Sequence, residues 1–114
     1  MKKYKAKLIR IIDGDTIDAE IDIGFDVFVR KRIRLWGIDA PETRTRDKDE
    51  VRHGKDTYRR LASILALSNG QFDLITHGDG KYGRCLGEIF VKEHTESVNQ
   101  VLINEGLAKI YEEK

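Results

Sequence analysis

Along residues 3–35 apolar and polar side chains alternate over most of the length, the signature of half-buried strands. Tyr4, Ala6 and Leu8 alternate with Lys3, Lys5 and Lys7, and apolar residues then double up at Leu8-Ile9 and Ile11-Ile12. That pattern predicts a first strand over Lys2–Ile12 with a bulge in its second half. Asp13-Gly14 is a turn signal. Ile17, Ala19, Ile21 and Ile23 alternate with Asp18, Glu20 and Asp22, predicting a second strand that Gly24 ends. Phe25, Val27 and Val29 are expected to open a third strand, with Ile33-Arg34-Leu35-Trp36 continuing it or forming another.

Thr43–Lys55 is so rich in charge that it reads as a long surface loop. From Asp56 the period lengthens: Tyr58, Leu61, Ala62 and Leu65 lie at i, i+3, i+4 and i+7, one stripe of a helix that Asn69-Gly70 stops. A short strand follows over Gln71–Thr76, then a Gly-rich loop from His77 to Gly83, then a strand over Arg84–Lys92. Thr95 or Ser97 is placed to cap a short helix carrying Val98, Val101 and Leu102, which ends at Gly106. Three strands, a helix, two strands and a helix make a mainly β, α+β chain. A five-stranded OB-fold-type barrel with an inserted helix is the leading architecture, and an open antiparallel sheet is the alternative that periodicity leaves standing.

With 114 residues, the chain fits one domain spanning 1–114. A single cysteine, Cys85, excludes an internal disulfide and a Cys-rich zinc site, so the fold must rest on packing. Cys85 itself reads as a small core residue. No apolar run reaches the roughly 20 residues of a membrane span. Residues 1–10 carry no apolar stretch of the signal-peptide kind; a cytoplasmic monomer without an obligate protein partner is the expectation.

The net charge is only +1, but its distribution is uneven. Residues 30–34, Arg-Lys-Arg-Ile-Arg, follow an acidic stretch at Asp13, Asp15, Asp18, Glu20 and Asp22. Clustered carboxylates beside guanidiniums suit a metal-plus-phosphate site better than a passive phosphate coat, although most of these charges read as a salt-bridged sheet face. Asp15 opens the second strand and Asp39 follows the third, so adjacent strands would bring the two carboxylates to one sheet end. Two such carboxylates, a backbone carbonyl and water suit a hard cation, Ca²⁺ or Mg²⁺. Glu42, stiffened by Pro41, is placed to orient or deprotonate a water. Arg34 and Arg84 offer the forked donors that a phosphodiester transition state needs, with Lys31 and Arg32 weaker candidates. His53, His77 and His94 are scattered singly and read as loop residues.

Four motifs stand in order: Asp-Gly-Asp-Thr at 13–16, Arg-Leu-Trp-Gly-Ile-Asp-Ala-Pro-Glu-Thr at 34–43, Lys-Tyr-Gly-Arg at 81–84, and Val-Asn-Gln-Val-Leu-Ile-Asn-Glu-Gly-Leu-Ala-Lys at 98–109. Through them the chain resembles the staphylococcal-nuclease-like (thermonuclease) family over most of its length. The resemblance implies an OB-fold barrel and Ca²⁺-dependent hydrolysis of DNA and/or RNA with little sequence preference, leaving 3′-phosphates. It puts Asp15, Asp39 and the carbonyl of Ala40 on the calcium, makes Glu42 the partner of the attacking water, and makes Arg34 and Arg84 the phosphate clamps. Lys81 and Tyr82 fall at the substrate. Ala40 stands where some members have Thr, and the C-terminal helix of longer members has no counterpart here. The alternative is a non-catalytic OB-fold nucleic-acid-binding module; a purely structural domain would leave the charge constellation unexplained.

Overall fold

The structure is a computed structural model that describes residues 2–79, 84–92 and 95–112. Its elements are β1 (Lys3–Asp13), β2 (Thr16–Asp22), β3 (Phe28–Leu35), β4 (Ile38–Asp39), α1 (Lys48–Ala66), β5 (Gln71–Asp79), β6 (Cys85–Phe90), α2 (Val98–Asn104) and β7 (Lys109–Ile110). Strands β1, β2, β3, β6 and β5 close, in that order, into a five-stranded barrel. The β3–β6 pair is parallel and the other barrel pairs are antiparallel. Closure removes the sheet edges, which the open-sheet alternative would have left exposed.

The doubled apolar residues in β1 mark real irregularities. The β1–β2 register shifts between Leu8 and Arg10 and again between Ile11 and Asp13. Extra residues at Ile9 and Ile12 bend β1, so its first half pairs with both β2 and β5 while its second half follows β2 alone. Inside the barrel, Ile17, Ala19, Ile33, Leu35, Leu74 and Ile89 are sealed from water. Leu61, Ile64 and Leu65 of α1 and Val98 and Leu102 of α2 extend the same core.

Three boundaries differ most from the sequence expectation. Helix α1 begins at Lys48, inside the stretch expected to be a loop. Asp47 caps it, its carboxylate accepting from the Asp49 and Glu50 backbone N–H groups at 3.0 and 3.3 Å. Asp49 and Glu50 also sit where the helix dipole favours anions. The charges that suggested a loop are therefore those of a helix start. The third strand begins at Phe28 rather than Phe25. Gly24, Phe25 and Asp26 all adopt positive φ (91°, 57° and 60°), and the Val27 N–H bonds the Gly24 carbonyl at 2.9 Å, so the chain reverses there. Phe25 alternates in phase with Val27 and Val29, yet it projects wholly into solvent. Strand β5 also runs on to Asp79, past the expected end at Thr76.

Helix α2 is joined to the barrel by one buried side chain. Asn99 accepts the Ile89 N–H at 3.1 Å and donates to the Trp36 and Gly87 carbonyls at 2.8 and 3.0 Å. It thereby serves the Ile89 N–H and the Trp36 carbonyl and adds a second donor to the Gly87 carbonyl, which already accepts the Trp36 N–H at 2.8 Å. Asn99→Ala should take these partners from the Ile89 N–H and the Trp36 carbonyl and lower unfolding free energy by about 2–4 kcal/mol, read by urea denaturation.

Candidate active site

Asp15 and Arg34 meet because β2 and β3 are neighbours in a register that pairs Thr16 with Arg34. One Arg34 guanidinium nitrogen lies 3.0 Å from an Asp15 carboxylate oxygen, and another lies 3.3 Å from Asp39. The backbone N–H of Ala40 donates to the same Asp15 oxygen at 2.9 Å, and the Thr16 hydroxyl donates to the other at 2.9 Å. Asp15, Arg34, Asp39 and Ala40 thus converge, as the sheet-end argument anticipated. Asp15 is buried, whereas the Asp39 side chain is about half open to solvent at 47%. The Arg34 nitrogen nearest Asp15 is buried yet makes no aligned hydrogen bond; the contact is an ion pair of poor angle.

Packing holds this arrangement from two sides. Helix α1 presses on the loops that carry the acids, and two glycines permit the approach. A Cβ at Gly54 would lie 2.6 Å from the Thr43 methyl and 2.7 Å from the Pro41 carbonyl oxygen; one at Gly14 would lie 2.6 Å from the Thr57 methyl and 3.1 Å from the Ala40 Cβ. On the other side, β7 pairs with β4, and the Tyr111 N–H bonds the Gly37 carbonyl at 2.8 Å. This sets the Tyr111 ring 5.7 Å from the Arg34 guanidinium, within cation–π range.

The other expected residues take different positions. Glu42 is exposed in the loop before α1; its carboxylate accepts the Arg44 N–H at 3.0 Å, and its own N–H donates to Glu50 at 3.1 Å. It lies close enough to Asp13 to be felt there. Burial first, then Asp15, and to a lesser extent Glu42, push the Asp13 carboxyl above its usual range, while Arg44 and the Thr43 hydroxyl pull the other way. Arg84 enters just before β6, whose Cys85 registers with Ile33, so it stands near the level of Arg32, two residues along from Arg34. Cys85 is buried in the core. Lys81 and Tyr82 lie outside the described residues, as does His94. The remaining histidines are not loop residues: His53 is in α1, and His77 is in β5, stacked on Trp36 at 3.9 Å and 2.7 Å from Glu88.

Spacing alone missed one feature. A groove of about 810 Å³ is lined by Arg10, Arg30, Lys31, Arg32, Arg44 and Arg84, against Asp13 and Asp18, with Thr16 joining it to the Asp15 cluster. The Arg-Lys-Arg-Ile-Arg run was its visible trace; Arg10 and Arg44 arrive only through folding.

The donor set is tested by its own chemistry. Among the described residues no three His, Cys, Asp or Glu side chains gather as a metal-binding group. The carboxylates of Asp15 and Asp39, bridged here by the Arg34 guanidinium, are a donor set of the all-oxygen kind that a hard cation takes when it keeps several waters. Asp39 is the open side of that set.

The sequence model of the staphylococcal nuclease homologue family matches residues 32–114, more than half of the chain. The chain belongs to this family. Similar proteins include thermonuclease of Staphylococcus intermedius, 33% identical over 100 residues that cover 88% of this chain and 55% of that protein. Endonuclease YhcR of Bacillus subtilis (strain 168) is 31% identical over 119 residues, 96% of this chain and 9% of the relative. Micrococcal nuclease of Shigella flexneri is 29% identical over 119 residues, 95% of this chain and 59% of the relative. The chain spans less than two thirds of each of these relatives. In this staphylococcal nuclease homologue, no helix among the described residues is long and apolar enough to cross a membrane.

Two predictions follow from the packing and charge around the cluster. Alanine is a better helix former than glycine by about 1 kcal/mol, yet Gly54→Ala should destabilise by about 1–3 kcal/mol, because its methyl must displace the Pro41–Thr43 segment. Thermal melts decide between propensity and packing. The Asp18 carboxyl is held at about 2, below its usual 3.8, chiefly by hydrogen bonds from Arg32; partial burial opposes this and Arg10 adds to it. A lowered pKa contributes stability above the unfolded value and loses it as pH falls through the folded one. Asp18→Asn should therefore lower Tm by roughly 3–5 °C at pH 7, with the difference closing as pH drops below about 4.

Proposed function

We propose that the chain is a Ca²⁺-dependent nuclease that hydrolyses phosphodiester bonds of DNA and/or RNA with little sequence preference and leaves 3′-phosphates. The observation that carries this reading is the convergence of Asp15, Arg34, Asp39 and Ala40 in a member of a family whose similar proteins include a thermonuclease and a micrococcal nuclease. Asp15, Asp39 and the Ala40 carbonyl would hold the cation. When bound, it would supply positive charge against the phosphate and lower the pKa of a water.

The remaining work falls to the chain's own side chains. Glu42, exposed in the loop before α1, accepts a proton from the attacking water as its oxygen bonds phosphorus and the P–O5′ bond breaks, the leaving 5′ oxygen taking its proton from solvent. Arg34 donates to a non-bridging phosphate oxygen through nitrogens that its two carboxylate neighbours hold in place. Arg84 donates from the groove side. Both guanidiniums are positioned before substrate arrives, so the charge that develops on the phosphate meets fixed donors at little reorganisation cost. Lys81 and Tyr82 are the substrate contacts that the family resemblance implies. The shape of the donor set, rather than any base-reading groove, accounts for low sequence preference: phosphate contacts position the strand without reading it.

The test uses purified protein with denatured DNA and with RNA, in Ca²⁺ or in chelator. Degradation only with Ca²⁺ is expected, and the products should prime a polymerase only after phosphatase treatment. Arg84→Ala should lower turnover by about 10²–10³, and Asp39→Ala should raise the Ca²⁺ concentration needed for half-maximal rate. Retarded migration of nucleic acid without cleavage, with Asp15, Arg34, Asp39, Glu42 and Arg84 intact, would instead make the domain a binding module.

A further inference from the structure

The outward face of β3 carries Phe28, Arg30, Arg32 and Arg34 at every second residue. Strand geometry spaces such positions by about 6.6 Å. Arg34 belongs to the Asp15–Asp39 centre, and the three before it lead away toward the β2–β3 turn. At that turn Phe25 is fully exposed and Phe28 is 54% exposed. Arg30 and Arg32 line the 810 Å³ groove together with Lys31, Arg10, Arg44 and Arg84. The opposing carboxylates do not cancel this charge. Asp18 is shared by Arg10 and Arg32 at 2.9 Å each, and Asp22 accepts the Gly24 N–H at 2.8 Å. The side chain of Glu20, which registers with Arg30, makes no hydrogen bond or ion pair among the described residues. The groove keeps a positive balance and borders the centre at Thr16, whose hydroxyl bonds Asp15 at 2.9 Å.

We propose that this groove is a track for the phosphate backbone of a single strand of nucleic acid entering the Asp15–Arg34–Asp39 centre, with Phe25 and Phe28 stacking on unpaired bases at its far end. The proposal deepens the nuclease reading and rests on it for the direction of the strand, but its binding arm is independent of cleavage. A line of cations at strand spacing complements a phosphate chain. Exposed aromatic rings beside it need bases with open faces, which a single strand offers and a duplex hides. Phe25, fully exposed on a backbone with φ of 57°, buries nothing for the fold, so a role in contact with a ligand explains its position.

The experiment measures fluorescence anisotropy of a labelled single strand of about a dozen nucleotides, and of the same sequence as duplex, in chelator and across a salt series. Arg30→Ala/Lys31→Ala should weaken single-strand binding about tenfold or more and flatten the log–log salt slope by about 1.4, roughly 0.7 per lost cation. Phe25→Ala/Phe28→Ala should weaken it about fivefold or more with the slope unchanged. Lys55→Ala/Arg59→Ala, which removes the same charge from exposed α1 positions outside the groove, should bind as the parent does. Melting temperatures check that each variant is folded. In Ca²⁺, the groove variants should also raise KM for denatured DNA. Groove variants that bind like the parent would overturn the track, as would duplex bound more tightly than single strand. A parent that cleaves while groove variants match it fails the track alone. A parent that binds through the groove but never cleaves fails the nuclease reading alone, and a parent that does neither fails both.

Discussion

Arg34 wedged between Asp15 and Asp39 is the interaction on which the rest of this end of the molecule depends. Two carboxylates brought close together repel. A guanidinium between them, 3.0 and 3.3 Å away, offsets that repulsion and ties their two segments together. Removing one member of such a buried pair generally costs about 3–5 kcal/mol, because the other charge is left uncompensated. Arg34 is also where three segments meet. It belongs to β3, Asp15 introduces β2, and Asp39 ends β4. Asp15 adds backbone ties of its own: its carbonyl accepts the Leu35 N–H at 2.8 Å and its carboxylate accepts the Ala40 N–H at 2.9 Å. The turn that carries Asp39, Ala40 and Pro41 therefore hangs from the start of β2.

The barrel supplies the rigidity that this arrangement needs. A closed sheet fixes the β2–β3 register, and a slip of one residue would send Arg34 into the core and Ile33 out of it. Helix α1 buttresses the acid-bearing loops through contacts that Gly14 and Gly54 alone permit. The β4–β7 pair brings Tyr111 against Arg34 from the opposite side. Stability and chemistry are thus divided: apolar packing inside the barrel holds the frame, and the charges gather on its outside where water and a ligand can reach them.

Much of the architecture could be read from the chain. Alternation located β1 and β2, doubled apolar residues located the bulges, and turn residues separated the strands. The helix start was hidden because Asp47, Lys48, Asp49 and Glu50 look like a solvated loop; the spacing of Asp47 to Glu50, a capping acid followed three residues later by Glu, was the signal available. Phe25 misled because the reversal at Gly24–Asp26 keeps the apolar period in phase while turning the side chain outward. Both errors arise where local conformation is chosen by capping or by left-handed backbone rather than by hydrophobic period. In the candidate site, residue types pointed to Asp15, Asp39 and Arg34. The half-exposed setting of Asp39, the engagement of Glu42 with its own loop, and the gathering of Arg10 and Arg44 around the groove had no local trace.

The primary chain settles which segments bury one face and which residue types carry charge, since both depend on neighbours a few positions apart. Whether Asp15 meets Asp39 depends on contacts between residues far apart along it. Strand register, barrel closure and the pressure of α1 on two loops decide that, and each arises only when distant segments bury surface against one another. Geometry at the Arg34 cluster is therefore a property of the packed barrel, imposed on side chains that the linear order leaves separate.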